Sequence, residues 1–375
     1  MFSLLDLKQT PFLVAINLFM LLLNYLLMRS AIHSPYRVPR LQHRLSFLII
    51  VLFCLFSFWG LDWFHYAEKY SLMVGDYQTT IENVYYFIAK TLSPTYLVFR
   101  MIVWGGALAM LFYTVKRLEI NTDIFLLVFG CIWVIYFSYA RVSLAMAFLF
   151  LGSSFLIKPV GKKYLLSFFL GGALIALSIY FHKTALWGVA IVILSAFTNR
   201  LDKKASLLLV LLFPLLVYFA RNFLIDFMAS GFDAEEGLIE AYASSGQTYL
   251  DRTTSVRGLG STLQRLLEVI PLYLMVLYTL RRRINTENDV TSKALHFYSR
   301  VLFYCVLLSS VFLFDLGMNT RVVYIRFIRF SVIPASFVLS FLLSEQRASR
   351  YLRFLFYLSF CGSLYAVLYM AYCAS

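Results

Sequence analysis

Apolar positions along this chain fall in continuous runs of about 15–22 residues, each closed by a short polar cluster. A helix needs roughly 20 apolar residues to cross the hydrocarbon core of a bilayer. A transmembrane β-barrel would instead show short segments of alternating polarity. The runs predict about twelve helices, near residues 11–28, 45–64, 95–115, 123–138, 141–157, 164–181, 184–198, 205–220, 265–280, 298–314, 322–343 and 354–373. The chain therefore reads as one all-α domain over residues 1–375, a polytopic helical membrane bundle. The first run has neither a basic n-region nor a small-residue cleavage site, so it is expected to remain as a helix.

Composition supports the membrane reading. Charged residues make up 14% of the chain and mean hydropathy is +0.78, whereas soluble domains carry roughly 25% charged residues. The placement of the charges then gives an orientation. Twenty of the 33 Lys and Arg residues lie in one alternating set of loops, which hold only six acidic residues and so carry the whole net charge of +14. Basic residues stay in cytoplasmic loops. Those loops are expected inside, and both termini outside. The basic balance is a topology signal, and nothing calls for a nucleic-acid partner.

Two longer segments fall on the external side. Residues 65–94 contain Asp76 and Tyr77, then Ile81, Val84, Tyr85 and Ile88 at the i, i+3, i+4, i+7 spacing of an interfacial helix. Residues 221–264 hold acidic residues, Arg252, Arg257 and several glycines, and long loops in compact proteins are usually functional or disordered. No P-loop occurs, and the internal loops are too short for an ATPase, so the chemistry is not nucleotide-driven. The five cysteines, Cys54, Cys131, Cys305, Cys361 and Cys373, show no CxxC spacing. Neither a zinc site nor a disulfide framework is indicated, and no metal or cofactor is expected.

The chemistry-bearing residues are cations on the side where positive charge is unfavoured. Arg141 follows an almost absent connection between two spans, in Tyr139-Ala140-Arg141-Val142-Ser143-Leu144-Ala145. An arginine there either snorkels and caps helix carbonyls or holds a phosphate bidentately. His182 and Lys183 close a span, in Phe181-His182-Lys183-Thr184-Ala185-Leu186. His182 is either a structural helix-end residue or a general base. Arg321, Arg326 and Arg329 open a late span, with Arg326 and Arg329 at i, i+3 on one face. They either pair with Asp315 or Glu268 or serve an anionic ligand. Arg257 is either a solvated loop charge or a further contact.

These pieces in this order resemble the EpsG/Wzy-type exopolysaccharide and O-antigen polymerase family. The external Gly75-Asp76-Tyr77 precedes an aromatic stretch ending Ser93-Pro94. The Arg141 segment is similar to the family's R-x-x-[IL]-A, and the His182 segment to its F-H-x-[ST]-A-[IL], one helical hairpin later. The resemblance implies a GT-C-like glycosyltransferase fold and a polymerase acting at the outer face. Its substrates would be oligosaccharide repeat units on undecaprenyl pyrophosphate, with membrane lipid around them and a chain-length regulator protein as a further partner. It implies His182 or Asp76 as the proton acceptor. Arg141, Lys183, Arg257, Arg321, Arg326, Arg329 and Tyr77 would be substrate-binding residues. An O-antigen ligase, or a lipid-linked oligosaccharide flippase or transporter, stays open as an alternative.

Overall fold

A computed structural model describes residues 11–33, 40–56, 61–75, 82–133, 140–161, 163–198, 208, 209, 212, 256–281, 290–311, 318–345 and 349–374. Among them every long element is a helix. In chain order these are α1 (Pro11–His33), α2 (Arg40–Phe56), α3 (Leu61–Val74), α4 (Asn83–Phe87), α5 (Tyr96–Arg117), α6 (Thr122–Val128) and α7 (Ala140–Ile157). There follow α8 (Tyr164–Phe181), α9 (Ala185–Phe197), α10 (Val256–Arg281), α11 (Val290–Val311), α12 (Met318–Glu345) and α13 (Arg350–Ala374). Both α4 and α6 run on into a π-helical turn, over Ile88–Leu92 and Phe129–Trp133 respectively.

Five helices carry stretches long and apolar enough to cross a membrane: Tyr96–Arg117, Tyr164–Phe181, Leu263–Arg281, Ile328–Glu345 and Arg350–Leu368. Shorter apolar stretches occupy Leu18–Ala31, Thr122–Ile132, Arg141–Ile157 and Ala185–Phe197. The protein is an integral membrane protein built of helices. The run over 45–64 is described as α2 up to Phe56 and as α3 from Leu61, residues 57–60 lying outside the described residues. With Asp62, His65, Glu68 and Lys69, α3 is too polar to continue a span; it buries Tyr66 and Met73 instead. Of the segment read as a loop over 221–264, residues 256–264 are helical, the first turns of α10. The expected span at 205–220 lies almost wholly outside the described residues.

Burial separates the centre from the rim. Of the stretch Ile328–Glu345 in α12, 83% of residues are buried, against 17% for α8. α12 is thus the central helix, and α8 turns Leu165, Phe168 and Phe169 outward, as an apolar solvent allows. Small residues let backbones approach where helices cross, since lipid supplies no hydrophobic drive between helices. A Cβ on Gly152 of α7 would lie 2.8 Å from the Gly171 carbonyl oxygen of α8, and one on Gly171 would lie 2.9 Å from the Gly152 carbonyl oxygen. A Cβ on Gly188 of α9 would lie 2.7 Å from Leu149 and 2.8 Å from the Phe330 ring of α12.

Some polar side chains inside the bundle answer carbonyls of neighbouring helices. Asn24 donates to the Leu127 carbonyl at 3.4 Å and reaches Cys131 Sγ at 3.5 Å, while Ser363 donates to the Ile132 carbonyl. These side chains serve carbonyls around the π-turn, where the regular i to i−4 ladder is interrupted. At one end of the bundle, arginines cap helix C-termini. Arg117 donates to the Lys158 carbonyl beyond α7 and lies 4.0 Å over the Phe155 ring, and Arg300 donates to the Thr198 carbonyl beyond α9. Cations there complement the negative ends of the helix dipoles. Lys158 also pairs with Glu119. Cys131, Cys305 and Cys361 are free thiols.

Candidate functional site

At the opposite end of the bundle, three segments far apart in sequence meet. Arg141 stands in the first turn of α7. Its Nε donates to Tyr66 Oη at 2.7 Å, and its Nη1 donates to Glu82 Oε2 at 2.9 Å. The guanidinium carbon lies 5.6 Å from the Tyr66 ring centre. The other oxygen of Glu82, Oε1, is 3.0 Å from His182 Nδ1. One carboxylate thus bridges the arginine and the histidine. The side chains keep 22% (Arg141), 15% (Glu82) and 15% (His182) of their exposure, enough access for a ligand and enough burial to strengthen the charges.

Local structure sets each partner in place. Glu82 precedes α4 in extended backbone (φ −62, ψ 140). Behind it, Tyr85 is buried, with its ring edge-on to Phe99 and Phe181 at 6.3 and 6.1 Å. Its hydroxyl makes a long contact, 3.5 Å, to the Arg141 carbonyl. His182 ends α8 in extended backbone (φ −161, ψ 118), its N–H closing on the Ser178 carbonyl. Tyr66 comes from α3, which is anchored by Tyr70 donating to the Ser93 carbonyl at 2.6 Å.

The surroundings of Glu82 favour its ionised form. Burial pushes the Glu82 carboxyl up, but the hydrogen bond from His182 and the Arg141 charge outweigh it, and the group is held below the usual glutamate value. An ionised carboxylate only accepts hydrogen bonds. Nδ1 of His182 therefore carries the proton, and in the neutral ring Nε2 is the basic nitrogen. Arg141 uses Nε and one Nη1 proton of its five N–H groups on these partners.

The other predicted residues are placed as follows. Lys183 is exposed beside His182. Arg329 is half-buried on α12 and adjoins Phe330, which packs against Gly188 one turn into α9. Arg326 and Arg321 lie on the same helix N-terminal to Phe330, roughly one and two and a half turns further out. The backbone of α12 thus carries its arginines toward the His182 end; the Arg321 and Arg326 side chains lie outside the described residues. Arg257 sits in the first turn of α10, its side chain also outside them. Asp76 and Tyr77 are outside them altogether. Glu268, weighed as a partner for α12, is buried and accepts from Gln264 at 2.7 Å. Among the described residues no group of three or more His, Cys, Asp or Glu could hold a metal.

Sequence reasoning missed Glu82, Tyr66 and Arg100. Arg100 is 1% exposed on α5, stacked 4.1 Å from the Trp104 ring and donating to Tyr96 Oη at 3.4 Å. One signal was available for Glu82: it is the one acidic residue of the amphipathic segment 81–88 and is followed by no other acid until Glu119.

Fold and site together define a helical integral membrane protein with an arginine–glutamate–histidine cluster at one end of its bundle. The chain belongs to the EpsG family, whose sequence profile matches residues 41–374. That places it among membrane proteins of polysaccharide-polymerase type. No curated protein and no solved structure matches the chain.

Proposed function

We propose that this protein is a polysaccharide polymerase acting at the outer face of the inner membrane, joining oligosaccharide repeat units carried on undecaprenyl pyrophosphate. About twelve spans in a GT-C-like arrangement would hold the site at the periplasmic or external side. The observation that carries the reading is the meeting of Arg141 and His182, from two separate motifs of the family resemblance, across one carboxylate at one end of the bundle. The remaining donors of Arg141, with Lys183 and the α12 arginines, answer the pyrophosphate whose charge grows as it leaves. His182 accepts the proton of the acceptor hydroxyl. The energy resides in the donor's own phosphoester bond, in keeping with the absence of a P-loop from the sequence. Two lipid-linked substrates confined to one leaflet gain proximity.

The test is deletion of the gene, followed by gel analysis of surface glycan and complementation with variants. A polymerase leaves single repeat units attached and removes the ladder. A ligase or flippase removes attached glycan altogether, and that result overturns the reading. Loss of one charge-assisted contact costs about 1.5–3 kcal/mol. Arg141→Ala and His182→Ala are therefore expected to abolish the ladder at normal protein level, while Arg141→Lys restores it in part because lysine lacks the planar fork. Wild-type ladders from both alanine variants would remove these residues from the mechanism. Asp76→Asn is expected to do less than His182→Ala; the reverse order would move the proton acceptor to Asp76.

A further inference from the structure

We propose that Glu82 is a positioning residue: it fixes the proton of His182 on Nδ1 and thereby leaves Nε2 as the atom that takes the acceptor proton. The proposal rests on the polymerase reading and adds to it the residue that makes His182 competent. Three observations carry it. Oε1 of Glu82 stands 3.0 Å from His182 Nδ1. Oε2 is held at 2.9 Å by Arg141, whose Nε is tied in turn to Tyr66 at 2.7 Å, so the carboxylate cannot rotate away without breaking a second ion pair. All three side chains are mostly buried, where the field of a fixed carboxylate is weakly screened. Among the described residues, the charged and titratable groups toward the ring include Glu82, Arg141, Tyr66, Tyr85 and the exposed Lys183.

The chemistry balances without a further reagent. The acceptor hydroxyl oxygen bonds to the anomeric carbon of the donor, and its proton passes to His182 Nε2. The bond from that carbon to the pyrophosphate oxygen breaks, with the electron pair leaving on the phosphate. The imidazolium so formed stands against the Glu82 carboxylate, which stabilises it. This is the orienting role that a buried carboxylate plays toward a histidine base. The proton is later lost to water or to the departing phosphate.

The geometry makes a sharp demand on Glu82→Gln. Arg141 offers only donors, so the amide oxygen turns to Arg141 and the amide NH2 faces His182. Nδ1 must then accept, the proton moves to Nε2, and the base is lost although the shape is kept. A second role would give the opposite result. Were Glu82 a counter-ion displaced by substrate phosphate, its neutralisation would tighten substrate binding and leave turnover intact.

The experiment uses the full-length protein in lipid nanodiscs with a synthetic undecaprenyl-pyrophosphate-linked repeat unit. Histidine-nitrogen NMR is recorded in parallel, the His182 signals being assigned by their loss in His182→Gln. The expected result for Glu82→Gln is a fall in kcat of roughly 10²-fold or more, the scale of a positioned proton acceptor, with KM little changed and the His182 tautomer reversed. Glu82→Asp keeps the carboxylate and is expected to regain part of kcat with the proton on Nδ1. If the Gln variant fails to accumulate, a reversed tautomer in Glu82→Asp overturns the assignment. Wild-type kcat in Glu82→Gln, or a lowered KM with kcat kept, also overturns it. A wild-type protein that makes no polymer removes the polymerase reading instead, and the tautomer measurement then decides the Glu82 assignment alone.

Discussion

Glu82 holds Arg141 with one carboxylate oxygen and faces His182 with the other, so one charge serves two partners. Arg141 and His182 were legible because each sits where a cation or a titratable ring disagrees with its apolar neighbours. Glu82 sits in an ordinary amphipathic segment, and its partners lie 59 and 100 positions away. No local pattern encodes such pairings. The same pairing has a consequence for stability. The Glu82 carboxyl is held below its ordinary value of 4.5, so the folded state favours the ionised form. Its contribution is complete above the ordinary value and is lost as pH falls through the lower, folded-state value. The difference in melting temperature between the wild type and Glu82→Gln, in detergent, is expected to be constant above about pH 5 and to shrink below about pH 4. Carboxylates common to both proteins cancel in that difference. A gap unchanged to pH 3 would show that Glu82 titrates without reference to Arg141 and His182.

At the scale of elements, continuous apolarity is a local property, and ten of the twelve runs read from sequence correspond to helices that the structure describes. The breaks were less legible. In sequence, residues 61–74 read as a span end and a loop, because a short amphipathic helix packed on one side carries too little periodic signal to separate from either. Helix crossings were not legible at all, since a glycine's neighbour across a contact is not written beside it. The α7–α8 crossing can be tested. A methyl group on Gly152 meets the Gly171 backbone carbonyl at 2.8 Å, and backbone cannot yield as a side chain tip can. Gly152→Ala is expected to destabilise the protein by about 1–3 kcal/mol through overpacking. It is also expected to lower activity, because α7 carries Arg141 and α8 leads to His182. Gly106→Ala in α5, where nothing lies within 4 Å, is the control. It is expected to be neutral or to stabilise by up to about 1 kcal/mol through helix propensity. Thermal melts of the two variants check the pair, and equal melting temperatures would refute the crossing as a tight contact.

For the whole molecule, the charge pattern and the fold make one statement from two sources. Arg141 opens α7 and Lys158 follows its end, and the eighteen residues between Ala140 and Ile157 span roughly 27 Å. The Glu82–Arg141–His182 cluster and the Arg117–Lys158–Arg300 group are therefore at opposite ends of the bundle. The end with capping arginines is the one whose loops carry the net positive charge, and positive loops stay inside. On the proposed reading, that orientation would put the cluster at the outer face, where a lipid-linked pyrophosphate donor would be met. On a background without the native cysteines, Asn83→Cys and Lys116→Cys report the two ends, both positions being exposed. A membrane-impermeant maleimide applied to intact spheroplasts is expected to label Asn83→Cys at once and Lys116→Cys only after permeabilisation. The reverse pattern would place the cluster in the cytoplasm. A polymerase fed from the outer leaflet could not then use it, and the proposed function would fall however well the site variants behaved.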